Sequence, residues 1–71
     1  MSSLEIELGD IREVVSFDNF ELSQKLLIMG ILPGTRISLI RKSPLGGTYY
    51  FKIDENIIAL RKSEAKSIIV N

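Results

Sequence analysis

The sequence predicts a mainly β fold: a small barrel of about five short strands, with one helix inserted after the first. Three observations predict it. Short runs rich in β-branched and aromatic residues recur between turn signals. Residues 18–30 switch to helical spacing. The chain is 71 residues long, which suits one domain spanning 1–71.

Gly9-Asp10 opens the first strand, Ile11–Phe17. Ile11, Glu13, Val15 and Phe17 fall on one alternation and Arg12, Val14 and Ser16 on the other. Neither face is cleanly apolar, but the β-branched content favours a strand. The helix follows. Asp18 is placed as its cap, with Glu21 as the reciprocal acceptor of a capping box and Phe17 and Leu22 as a hydrophobic staple. Leu22, Leu26 and Met29 form the inward stripe, flanked by Phe20 and Leu27, while Gln24 and Lys25 take the wetter side. Gly30 stops the helix, since only glycine takes the left-handed conformation without a Cβ clash.

Leu32-Pro33-Gly34-Thr35 reads as a type II turn: Pro33 presets φ at the second position and Gly34 accepts positive φ at the third. Thr35–Lys42 is the second strand, with Ile37 and Leu39 inward. Ser43–Gly47 is a turn. Thr48–Asp54 is the third strand, with Tyr49, Phe51 and Ile53 on one face and Tyr50, Lys52 and Asp54 on the other. A polar turn, Asp54–Asn56, leads to a fourth strand that points Ile58 and Leu60 inward. Residues 62–66 allow one helical turn, and residues 67–70 close with a last strand. Closing such a sheet into a barrel removes the edges that a small β-protein otherwise exposes.

Composition bounds the chemistry. The apolar share is 45%, enough to fold. There is no cysteine, hence no disulfide framework, which fits a reducing cytosol. There is also no histidine, so the commonest general base is missing, along with the nitrogen and sulfur ligands that transition metals favour. Oxygen ligands from Glu5, Glu7 and Asp10, or from Asp54 and Glu55, are read as solvated edges. Gly30 with Gly34 lacks the following lysine of a phosphate loop, and Gly46-Gly47 lies between strands. An enzyme is not expected, nor is a bound cofactor or metal.

The chain is neutral overall but uneven: residues 1–35 hold six acids and two bases, and residues 36–71 hold seven bases and three acids. This reads first as a dipolar fold whose halves attract, and second as a basic face for an acidic partner. The acidic start lacks the marks of a signal peptide. The longest apolar run, residues 26–32, is shorter than the ~20 residues a membrane helix needs.

From Gln24 onward the segments resemble the ferrous iron transport protein A family, the FeoA-like domain. The matching pieces are the leucine-rich helix into Gly30, the Leu32-Pro33-Gly34 turn, the Pro44-Leu45-Gly46 loop, and Ala59-Leu60-Arg61 with Glu64-Ala65 beyond. The resemblance implies an SH3-like barrel with a helix after the first strand. It also implies a small cytosolic accessory or regulator of ferrous iron uptake, whose partner is the membrane permease, ferrous iron transport protein B. The chain departs from the family where Gly47-Thr48 stands in place of a common Asp-Pro, which should loosen that loop.

Such a protein would work by contact with its partner rather than as an iron carrier. Leu45, apolar on a surface turn shaped by Pro44 and Gly46, is the first docking candidate. The other reading folds it back over the barrel end. Ile28 and Ile31 lie off the helix stripe and are docking candidates or secondary core contacts. Gly30, Pro33 and Gly34 are structural. Without tryptophan, a polyproline groove is not expected. One rival is single-stranded nucleic-acid binding, with Arg36, Ser38, Ile40 and Lys42 on one alternation beside Tyr50 and Lys52. Neutral charge and a lone stacking ring argue against nucleic acid. A second rival is an SH3-like module of the kind found at the C-terminus of iron-dependent repressors. Self-association through a strand edge is compatible with the accessory role.

Overall fold

The structure is a computed structural model that describes residues Met1–Asn71. Its strands are β1 (Ile11–Phe17), β2 (Arg36–Lys42), β3 (Thr48–Ile53), β4 (Asn56–Arg61) and β5 (Ile68–Val70). Helix α1 (Phe20–Ile28) lies between β1 and β2, and the short α2 (Lys62–Ser67) joins β4 to β5. All pairings are antiparallel, in the order β4-β3-β2-β1-β5. The fold is the expected small barrel, but its sheet does not close. The chain passes from β4 to β5 through α2, a helical turn that occupies the gap and leaves β4 as an open edge.

Two bulges set which side chains face inward. In β1 the register shifts between Val14 and Ser16. An extra residue there turns the strand by half a period, so Val14 is buried and Phe17 still packs on the core. That is why neither alternation of β1 reads as apolar. In β2 the shift falls between Leu39 and Arg41. Leu39 pairs with Phe51, but Arg41 pairs with Tyr50, so Ile40 is the extra residue.

The α1 entry differs from the sequence expectation. The cap is Asn19, whose Oδ1 accepts from the Leu22 N–H at 3.0 Å, not Asp18 with Glu21. The Asp18 N–H donates to the Ser67 carbonyl at 2.9 Å, which keeps Asp18 in the chain joining β1 to the helix, one position too early to cap. The exit is as expected. Gly30 has φ +90°, its N–H donates to Leu27 O at 3.0 Å, and the Ile31 N–H donates to Leu26 O at 3.0 Å. This is a Schellman motif, and its apolar pair is Leu26 with Ile31, both fully buried. Ile31 is therefore a core residue and not a docking residue. The next turn also holds: the Thr35 N–H donates to Leu32 O at 3.1 Å and Gly34 has φ +93°.

The core is one cluster of 12 buried side chains drawn from every strand, from α1 and from α2. Tyr49, partly buried, packs against it and stacks on Phe51, with ring centroids 6.3 Å apart. The N-terminal segment adds a piece with no clear signal in the sequence. Ser3–Glu5 form a 3-10 turn, closed by a capping box between Ser2 and Glu5. Ser3 is buried and its hydroxyl donates to the Ala65 carbonyl, while Ile6 fills the core beside it.

Gly30→Ala should destabilise the fold by about 1–2 kcal/mol, because a Cβ would enter open space but strain a left-handed backbone. Chemical denaturation measures it directly, followed by far-UV circular dichroism or by the combined fluorescence of Tyr49 and Tyr50.

Candidate docking surface

The side chains that the core does not take are as informative as those it does. Leu45 is 98% exposed, Ile28 87% and Phe20 79%. The local structure holds each of them outward.

Leu45 stands at the tip of the β2–β3 hairpin. The Ser43 N–H donates to Thr48 O at 2.8 Å, the Gly46 N–H to Ser43 O at 2.9 Å, and the Thr48 N–H to Ser43 Oγ at 3.1 Å. Gly46 at φ +75° reverses the chain after Leu45. Pro44 and Gly46 are exposed beside it. The loop thus presents Leu45 to solvent instead of folding it over the barrel end.

On α1 the periodicity separates two faces. Leu22, Leu26 and Met29 pack inward, and Phe20, Leu27 and Ile28 lie on the opposite side. Ile28 lies off the inward stripe as expected, whereas Phe20 and Leu27, expected as its flanks, face away from it. The spacing held the signal: Phe20 and Leu27 are seven residues apart, two turns along one face, and Leu26 already fills the inward position between them.

One ion pair fixes the helix that carries this face. Lys25 Nζ of α1 lies 2.5 Å from Glu64 Oε2 of α2. Glu64 Oε1 accepts from the Arg61 N–H at 2.8 Å, closing the first turn of α2. Glu64 is buried, whereas more than half of the Lys25 side chain is exposed. The hydrogen bond from Lys25, and then that from the Arg61 amide, hold the Glu64 carboxyl below the ordinary carboxylate range, against the opposing effect of burial.

Other chemistry is not assembled. No three His, Cys, Asp or Glu side chains converge as a metal site would require. The Arg41 guanidinium covers one face of the Tyr50 ring at 4.5 Å, taking up the surface on which a base would stack. The β2 bulge also breaks the alternation that would put Lys42 beside Tyr50. The largest surface depression, about 520 Å³, sets Arg36 and Lys52 against Asp54 and Glu55, so its charges offset. No helix is long and apolar enough to cross a membrane.

The family model for the FeoA domain matches residues 4–71. The chain belongs to the FeoA domain family. A FeoA-like protein from Clostridium acetobutylicum has the same fold, with TM-score 0.90 and 30% identity over 100% of this chain and 84% of that one. FeoA from Stenotrophomonas maltophilia, a prokaryotic SH3 domain protein solved with zinc, gives TM-score 0.82 and 28% identity over 100% of this chain and 89% of its own. A manganese-dependent transcriptional repressor shares the fold at TM-score 0.83 and 19% identity, with this chain spanning 39% of its length. That likeness is one of fold alone. No curated protein sequence matches the chain. The SH3-like FeoA fold expected from the sequence is thus established, and the repressor-type barrel is its structural cousin.

Because its folded-state pKa is depressed, Glu64 contributes stability that is fully present above its unfolded pKa and is lost as pH falls through the folded one. Glu64→Gln should therefore cost about 2 kcal/mol at neutral pH and almost nothing at strongly acid pH, as read from urea denaturation at both.

Proposed function

We propose that this FeoA-family chain is an accessory of ferrous iron uptake that acts by docking on the cytosolic domain of the membrane permease, ferrous iron transport protein B. In this reading the protein is cytoplasmic and reaches the membrane only through that partner. It regulates transport by contact, without catalysis and without carrying the ion.

The observation that carries the reading is the pair of apolar points held out from the core: Leu45, at 98% exposure on a hydrogen-bonded hairpin tip, and Ile28, at 87% on a helix joined to α2 by the Lys25–Glu64 pair. A single exposed apolar residue is ordinary. Near-complete exposure at the apex of a hydrogen-bonded turn and on the outer face of an inserted helix is a different matter, since the local hydrogen bonds and the inward packing of α1 direct both side chains to solvent. The absence of converging ligand groups favours contact over ion carriage. The family supports the context: the Stenotrophomonas maltophilia relative is described as a candidate activating factor for bacterial ferrous iron transport.

Leu45→Ala and Ile28→Ala should each weaken capture of the permease's cytosolic domain by about tenfold, the loss typical of an apolar anchor. Neither should change the denaturation midpoint, because both side chains lie outside the core. Unaltered binding by both variants would remove the proposal.

A further inference from the structure

The sheet has two edges, and the chain treats them differently. At β5 the edge is covered: Ser2 bridges to Ile69, the Val70 N–H donates to Met1 O at 2.6 Å, and the terminal amine donates to Val70 O at 2.9 Å. The edge at β4 has no such cover. Its pairing with β3 runs unbroken from Thr48–Arg61 to Ile53–Asn56. The loop between them is two residues, Asp54 and Glu55, so Ile53 and Asn56 form a hydrogen-bonded pair. Alternation then turns the N–H and C=O groups of Ile57 and Ala59 outward. No loop, cap or side chain meets them, whereas the next outward N–H, that of Arg61, is taken by Glu64.

The devices that protect natural edges are missing from this stretch. Residues 57–60 contain no proline, charge or bulge, and Ile57 is 68% exposed.

We infer that the free β4 edge pairs, antiparallel, with β4 of a second copy across a two-fold axis at Ile58. The occupant follows from register and charge. With Ile58 opposite Ile58, Ile57 of each copy lies opposite Ala59 of the other, and every outward N–H and C=O of these two residues finds a partner. The same register sets Glu55 against the second copy's Arg61 at both ends, so the edge is complementary to itself. A ring built from β4 to β5 is blocked, because β5 is already covered by the chain's own Met1 and Ser2. One short strand from each copy buries less than the about 800 Å² per partner of a stable interface. The pairing is accordingly weak and populates at high concentration. It uses neither Leu45 nor Ile28, so it stands apart from the docking proposal.

Sedimentation equilibrium with amide exchange by NMR tests it on the full chain. The expected result is a mass that rises toward a dimer with concentration, together with slowed exchange at Ile57 and Ala59. Ala59→Pro removes an outward N–H and no bond to β3, so it should abolish the effect. Glu55→Arg should weaken association about tenfold by setting like charges opposite, and adding Arg61→Glu should restore it. A single monomeric mass at millimolar concentration would overturn the inference. So would association that survives Ala59→Pro, or protection of β4 only when an extended peptide of another protein is supplied. Should Ala59→Pro fail to fold, the charge reversal and its rescue still decide.

Discussion

The size of the core constrains everything else in this molecule. Twelve apolar side chains form one cluster, and each strand and helix sends residues into it. A chain of this length buries only about 60% of the surface its unfolded form exposes, so it cannot hold a second cluster. Each inserted piece must therefore point one face at the same small interior. Helix α1 does so with Leu26, and the Schellman turn brings Ile31 in beside it, so the end of the helix is fixed by packing as well as by Gly30. The N-terminal turn does so with Ile6, the last strand with Ile68 and Val70. With the interior full, Phe20, Ile28 and Leu45 stay on the surface.

Polar chemistry serves the same scaffold. Glu64 links three pieces at once: the start of α2 through the Arg61 amide, helix α1 through Lys25, and the gap that α2 spans between β4 and β5. A buried carboxylate would be costly alone, and it is tolerated because both oxygens are engaged. The pair joins a base of the acidic half to an acid of the basic half, so it does not realise the expected attraction between the two halves. The remaining charges of the second half are exposed, and Arg41 and Lys42 lie over the rings of Tyr50 and Tyr49 respectively. No three His, Cys, Asp or Glu side chains converge in this arrangement.

The sequence was most legible where local chemistry decides. The run Gly30 to Gly34 needs positive φ at both ends, and only a helix stop followed by a type II turn satisfies it. Strand alternation identified Ile37, Leu39, Phe51, Ile53 and Leu60 as inward because β2, β3 and β4 keep their register over those residues. Less legible were features set by tertiary neighbours. The bulges at β1 and β2 arise from pairing across the sheet and leave no composition mark. Asn19 prevails over Asp18 as the cap because the Asp18 backbone is already bonded to Ser67, far along the chain. The barrel stays open because the α2 crossing takes the place of a closing strand. Of the docking candidates, Leu45 and Ile28 are on the surface, while Ile31 was drawn inside by a turn whose apolar contact is visible only in three dimensions.

Docking through the exposed apolar points on α1 and the β2–β3 hairpin, as proposed, requires that a partner perturb those residues and leave the core alone. Amide chemical-shift mapping of the isotope-labelled chain, titrated with the permease's cytosolic domain, tests it most directly. The expected perturbations fall on the outer face of α1, at Phe20, Leu27 and Ile28, and across Ser43–Thr48, with the core amides of β3 unmoved. Shifts confined to the β4 edge or to the Arg36–Lys52 sheet face, or no shifts at saturating concentration, would contradict it.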